Sequence, residues 1–396
     1  MSRILIIAAV FPPEPVVSAK LAYDIAIALS ATNQVTVLCP KPTRPYGFDF
    51  SLNTQPDNKF SKIEIESYTC PQSSFFGRIR ESYSFGRKTS RYILDNYLDI
   101  DGIYADTWPL FGQLLVVNAA KKRNLPIAIH VQDIYPESLA NKLGILFTVV
   151  KRLLIPLDKL ILNQATSVIA ISEFMKDYLA ATREISKDKI SVILNWQDES
   201  PFLRHKEISQ VDEKFTFMYL GNIGPVAGVD LLIDAFVYAN ITNSRLIIAG
   251  AGSMKEKLIK RASVHTNFDI QFWNVPEGSV PEIQSKANVM LLPIRKGAAS
   301  SSIPSKLPAY MFSAKPVICC ADKYSDTAKC ITESDCGYVV EPDNIFKLSQ
   351  NMISIASLNL DELHKFRING FNYAIKTFSK RTNLSRLITV IDKLLK

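Results

Sequence analysis

Short β-branched runs alternate along this chain with stretches whose apolar residues recur at helical spacing. RILIIAAV reads as a buried strand and SAKLAYDIAIALSAT as an amphipathic helix. QVTVLCP, KIEIESYT, GIYAD, PIAIHVQD, SVIAIS and KISVILN continue the strand series. Such alternation predicts parallel strands joined by crossover helices. The rhythm restarts at FTFMYLGNI and runs through a helix VDLLIDAFVYAN, RLIIAGAG, a helix from Met254, FDIQFWNV, a helix around PEIQSKA, VMLLPI, a helix after Pro304, and PVICC. Two doubly wound, Rossmann-like α/β domains are therefore expected. The seam falls in the polar, unpatterned NWQDESPFLRHKEISQ, giving domains at residues 1–198 and 199–380. From about Asp361 the chain reads as one long amphipathic helical stretch, and its end, residues 381–396, is expected to cross back to the first domain. Ligands of open α/β sheets bind beyond the carboxyl ends of the strands, so function is sought in the loops there, facing a cleft between the two sheets.

A length of 396 residues exceeds one ordinary core, and 47% hydrophobic with 21% charged residues describes a globular chain. The formal net charge of +8 favours an anionic partner. Nucleic acid is disfavoured, because no recognised module appears and the cations are dispersed. The apolar start is cut short by Pro12 and Pro13, which suits a first buried strand better than a signal peptide. No stretch reaches the roughly 20 apolar residues that span a bilayer, so a cytoplasmic protein is expected. Its six cysteines show no CxxC pairing and no His at ligand spacing, which predicts reduced buried thiols and no metal site.

The most informative stretch is PSKLPAYMFSAKPVI, from Pro304 to Ile318. Ser300, Ser301, Ser302 and Ser305 crowd a predicted helix N-terminus, where free N–H groups attract anions, and Arg295, Lys296 and Lys306 share that corner. A phosphate or diphosphate would be held there without a metal; alternatively the serines merely cap a helix. After the first strand, FPPEPVVSAK carries one carboxylate, Glu14. After PIAIHVQD, residues Gln132, Asp133 and Glu137 sit at a strand end. Asp133 is placed as a general base or hydroxyl-orienting group, or else as a helix cap. Gly221, Gly224 and Gly228 allow close backbone approach to a ligand, but their spacing is not that of a dinucleotide fingerprint.

FPPEP, HVQDIYPESL, VIAISEFMKDYL, ISVILNWQD, YLGNIGPVAGVDLLIDAF, IIAGAGSMKEKL, VPEGSVPEIQSKANVMLLPI and PSKLPAYMFSAKPVI follow one another in an order that resembles the family 4 glycosyltransferases. The likeness is greatest to bacterial enzymes that add amino sugars such as N-acetyl-L-fucosamine in O-antigen or capsule assembly. It implies the GT-B architecture and metal-independent transfer from a nucleotide-sugar, UDP-sugar favoured, with retention of configuration and no cofactor. It places Asn222 and Gly224 near the diphosphate, Asn274 and Val275 beside the base, and Ile303 to Lys306 near the donor sugar and phosphates. Asp133 and Glu14 would face the acceptor, a polyprenyl-diphosphate-linked saccharide. The chain departs from the family where two glutamates are usual, having Ser301 and Ala309. It also has Asn222 and Ala227 in place of a usual Arg and Lys, and Gln132 in place of a His, with His130 two residues earlier. These departures leave Arg295, Lys296 and Lys306 as the expected phosphate partners. A GT-B epimerase or a non-catalytic nucleotide-sugar scaffold are the alternatives.

Two segments suggest peripheral contact with the inner face of the membrane. SSFFGRIRESYSFGRKTSRY interleaves Phe75, Phe76 and Phe85 with Arg78, Arg80, Arg87, Lys88 and Arg91, and GILFTVVKRLLIPLDKLIL carries Lys151, Arg152 and Lys159.

Overall fold

The computed structural model describes residues 1–44, 50, 59–70, 74–106, 110–139, 147–204, 214–296 and 303–396. The chain forms two compact units, one of Met1–Asn195 with Asn383–Lys396, the other of Trp196–Thr382. The first is built on a seven-stranded sheet of β1 (Arg3–Ile7), β2 (Gln34–Pro40), β3 (Ser61–Ile65), β4 (Gly102–Asp106), β5 (Ile127–Val131), β6 (Ser167–Ala170) and β7 (Ile190–Val192). The strand order is β3-β2-β1-β4-β5-β6-β7, and every pairing is parallel. In the second unit, β8 (Phe215–Leu220), β9 (Ser244–Ala249), β10 (Ile270–Trp273), β11 (Val289–Pro293), β12 (Val317–Cys320) and β13 (Gly337–Val340) form a sheet in the order β10-β9-β8-β11-β12-β13. Each sheet has one reversal of strand order, between β1 and β4 and between β8 and β11.

Central strands read as unbroken apolar runs because helices cover both faces of a parallel sheet. Ile4 to Ile7 are at most 2% exposed, and all five residues of β4, β5 and β11 are buried. The strand β13, GYVV, extends the second sheet beyond the five strands legible in the sequence. Its pattern is short and half exposed at the sheet edge, so periodicity gives little signal. All six cysteines are buried.

The tail differs from the single helix expected. It breaks at Ser379 (φ −60°, ψ 134°) into Leu360–Phe378 and Lys380–Leu394. There the backbone bridges to Gln197, and the Ser379 hydroxyl donates to Glu199 Oε1 at 2.7 Å. From Asn383 onward the last helix belongs to the first unit. A Cβ at Gly102, which opens β4, would lie 2.5 Å from Leu395 Cδ2, so the bare glycine gives the tail room to pack on the sheet. Leu387 and Ile391 are 0% and 1% exposed. Among the described residues no helix is long and apolar enough to cross a membrane.

If this tail is part of the first unit's core, Leu387→Ala leaves a cavity and costs about 2–5 kcal/mol. Equilibrium denaturation with a probe in the first unit measures it, and an unchanged midpoint would refute the packing.

Candidate functional site

In the second unit the strand order reverses between β8 and β11, the point along the carboxyl edge at which sheets of this kind hold ligands. Lys306, the first residue of the Lys306–Phe312 helix, runs over Gly221 at the end of β8. A Cβ on Gly221 would sit 2.0 Å from Lys306 Cε, so glycine is what admits the lysine. The ammonium lies 5.5 Å from the Tyr219 ring centroid. The Tyr219 hydroxyl is turned away, donating to the Asn222 carbonyl at 2.6 Å. Burial lowers the Lys306 pKa below the ordinary lysine value, and among the described residues no carboxylate pairs with it. A partly desolvated cation lacking a counter-ion is a strong attractor for an anionic oxygen.

The same rim continues across the sheet. Gly250 ends β9 with φ +138°, and a Cβ there would lie 2.0 Å from the Gly221 carbonyl oxygen. Only glycine meets both constraints. Lys255 Nζ donates to the Gly250 carbonyl at 3.0 Å and to Asn274 Oδ1 at 2.8 Å, tying the ends of β9 and β10 together. Asn274 is exposed and Val275 half-buried. Asn222 is also exposed, and Gly224 has an ordinary φ of −105°.

Other expected phosphate ligands are placed differently. Arg295 is not a free cation: Nη1 donates to Asp343 Oδ1 at 2.6 Å and Nη2 to Asp230 Oδ2 at 2.5 Å. It braces the β11 loop against two other segments, and a phosphate would have to compete with two carboxylates. Lys296 is exposed. Ser305 precedes the helix, but its side chain makes no cap hydrogen bond, so the capping alternative is not what the structure shows there. Ser300, Ser301 and Ser302 lie outside the described residues. Ala309, at one of the missing glutamate positions, is buried at 5% exposure.

In the first unit Asp133 is exposed just beyond β5. The next helical turn, Glu137–Leu139, begins four residues on. Glu14 is placed otherwise than an acceptor-facing base would be. It is 6% exposed, and Oε1 accepts from the backbone N–H groups of Thr43 and Arg44 at 2.8 and 2.9 Å. Burial raises its pKa despite those donors. Its observed work is to hold one loop to another. His130 is inside β5 with 0% exposure, shares a 2.6 Å hydrogen bond with the Tyr104 hydroxyl, and is pushed down to about 4 by burial. It is therefore a neutral core histidine, and Gln132 approaches it at 3.5 Å.

The Asp133 loop is anchored by a residue that periodicity did not single out. Arg183 is 0% exposed; Nη2 donates to Glu137 Oε2 at 2.7 Å and to the Tyr135 carbonyl at 2.9 Å, and Nε donates to Asp158 Oδ2 at 2.6 Å. Two carboxylates share one guanidinium, and burial separates them. Asp158, the more enclosed, is pushed up to about 6 by desolvation against the pull of Arg183. Desolvation also acts on Glu137, but Arg183 and the Tyr178 hydroxyl outweigh it and hold its carboxyl below the usual range. Lys255 and Arg183 were illegible for one reason, since a basic residue on an amphipathic helix ordinarily faces solvent.

Replacing Arg183 by Met strands two acidic groups in the interior. The expected loss is about 3–5 kcal/mol, read by chemical denaturation at pH 7. A loss within a few tenths of a kcal/mol would show that the cluster does not hold the loop.

Residues 18–200 match the profile described as Glycosyltransferase Family 4, and residues 202–373 that described as Glycosyl transferases group 1. The chain is 22% identical over 252 residues to WbjE of Pseudomonas aeruginosa, named as a glycosyltransferase, with 59% of this chain and 60% of that protein covered. It is 23% identical over 241 residues to WcaI of Escherichia coli (strain K12), named for colanic acid biosynthesis, with 58% of each covered. The match thus spans less than two thirds of the length of these curated relatives. Alr3699/HepE of Anabaena, crystallised in complex with UDP, superposes with a TM-score of 0.71 over 99% of this chain and 100% of that one at 15% identity, a likeness of fold. The two profiles adjoin and take in nearly all of both units, so the chain belongs to the family 4 glycosyltransferases and has the GT-B fold.

Proposed function

We propose that this chain transfers a sugar, an N-acetylated or 6-deoxy hexose, from a nucleotide-sugar to a polyprenyl-diphosphate-linked saccharide in surface polysaccharide biosynthesis. The transfer retains anomeric configuration and uses no metal. The observation that carries the reading is Lys306, a half-buried ammonium seated over Gly221 at the reversal of the second sheet, with no carboxylate partner among the described residues. Departure of a nucleoside diphosphate concentrates charge on the leaving oxygen, and a fixed cation in a partly desolvated site stabilises it without reorganising. The family membership and the UDP in the structure of Alr3699/HepE support UDP as the carrier. On the acceptor side, exposed Asp133 orients the incoming hydroxyl or takes its proton. Beside β1, a depression of about 310 Å³ lined by Pro12, Glu14, Pro15, Val16, Val17, Lys20 and Tyr23 offers apolar walls to the acceptor. Retention follows if that hydroxyl arrives on the face the diphosphate leaves.

The membrane contact is part of the same proposal, with a revised set of anchors. Phe85 is 1% exposed and belongs to the core, and the Phe75 side chain lies outside the described residues. Arg78 pairs with Glu81 and Arg91 with Asp95. Phe76 remains at 82% exposure, and the Phe147–Gln164 helix exposes Val149, Leu153 and Leu160 at 61%, 70% and 46%. Exposed Arg87, Lys88 and Arg152 are the cations available to anionic headgroups.

Titration calorimetry with UDP tests the donor site. Lys306→Ala should weaken binding by about 1.5–3 kcal/mol, while Asp133→Asn should lower turnover with UDP affinity nearly intact. The pKa of Lys306 is lowered, so its charge is lost as pH rises, before an ordinary lysine titrates. UDP affinity should therefore fall on the alkaline side, and Lys306→Arg should abolish that fall. Wild-type affinity in Lys306→Ala would sink the assignment. Sedimentation with anionic vesicles tests the membrane claim. Binding should decline with salt and vanish when Arg87, Lys88 and Arg152 become Ser; no pelleting of wild type at low salt would remove it.

A further inference from the structure

The helix that carries Lys306 is held to the second sheet where that sheet's own hydrogen bonding stops. Strands β8 and β11 pair at Phe217 with Val289 and at Met218 with Met290 and no further, although they run on to Leu220 and Pro293. Continued in register, the next rung would set Leu220 beside Leu292 and Pro293, and a proline has no N–H to give a ladder. A buried N–H and carbonyl left unpaired there would be costly. One side chain meets both. The Tyr310 hydroxyl accepts from the Leu220 N–H at 3.1 Å and donates to the Leu220 carbonyl at 2.8 Å. Tyr310 is 0% exposed, and burial raises its pKa far above the ordinary phenol value, so the hydroxyl keeps the proton it donates.

Tyr310 stands one helical turn on from Lys306, on the same face of the Lys306–Phe312 helix. Successive residues at the end of β8 receive that face: the Tyr219 ring centroid lies 5.5 Å from the ammonium, the Leu220 backbone holds the Tyr310 hydroxyl, and Gly221 leaves room for the lysine methylenes. An apolar contact tolerates sliding, whereas a hydroxyl that must donate and accept at hydrogen-bond distance does not. We infer that Tyr310 is a positioning residue whose hydroxyl replaces the missing rung between β8 and β11 and thereby fixes the Lys306 ammonium over Gly221, touching no ligand itself. Its part in donor binding rests on the reading of Lys306 given above.

Tyr310→Phe in the full chain tests it, since the ring and its burial persist and only the hydroxyl goes. NMR titration of the Lys306 side chain, its signal assigned by loss in Lys306→Arg, needs no ligand. In wild type the midpoint should lie below that of an ordinary lysine, and in Tyr310→Phe it should move up toward that value as the ammonium gains water. UDP affinity at neutral pH should fall on the order of fivefold, and its alkaline decline should shift to higher pH together with the lysine. A tyrosine with a structural role alone would lower the melting temperature and leave the lysine midpoint in place, as the core change Phe236→Leu should. An ordinary midpoint in wild type, or an unmoved one in folded Tyr310→Phe, overturns the inference. Should that variant not fold, hydrogen exchange at the Leu220 amide of wild type decides: protection like that of neighbouring ladder amides supports the bond to Tyr310, and fast exchange overturns it. If wild type binds no UDP while the lysine midpoint still moves in Tyr310→Phe, the donor-site reading falls and the positioning role stands.

Discussion

The reversal of strand order between β8 and β11 is the constraint on which the candidate site depends. In a parallel sheet all strands end on the same edge, and each chain must return across a face before pairing again. Where successive connections go opposite ways, no crossover covers the gap, and the loops on either side are free to carry chemistry. Here one loop supplies Gly221 and Asn222, and the other leads to Lys306. Their contact is steric before it is electrostatic: a side chain at Gly221 would occupy the space of the lysine methylenes. The backbone at Gly250 then presses on Gly221 from the other side, so the glycines of the β8 and β9 ends act as one packed layer at the carboxyl edge of the sheet.

Much of this was legible in the sequence. Strands buried on both faces leave long β-branched runs, which is why RILII and VMLLP announced themselves. Edge strands lack that signal, and GYVV at β13 went unread. The tail looked continuous because its apolar spacing persists through Ser379, and only the contacts to Gln197 and Glu199 break it. Site positions on loops could be located from strand ends, yet partners could not. Nothing in the pattern shows that Arg295 is claimed by Asp230 and Asp343, which lie 65 and 48 residues away. Nor does it show that Glu14 turns inward to the amides of Thr43 and Arg44. Both are long-range pairings, and hydrophobic periodicity carries no information about them.

Net positive charge is a poor guide to where this chain would meet an anion. Most cations near the expected sites are already engaged: Arg78 and Arg44 with Glu81, Arg183 with two carboxylates, Arg261 with Asp234. Such pairs fix loops and helices, and they contribute little field at a ligand because each charge is cancelled locally. Lys306 differs in kind, since burial partly desolvates it and no carboxylate pairs with it among the described residues. A partly desolvated lysine is costly to the fold that holds it, and on the proposed reading a phosphate oxygen would relieve that cost, so that part of the ligand's affinity would be stored in the unliganded protein. The glycine and the lysine therefore form one device, in which the absence of a Cβ at one strand end makes room for the charge at the other.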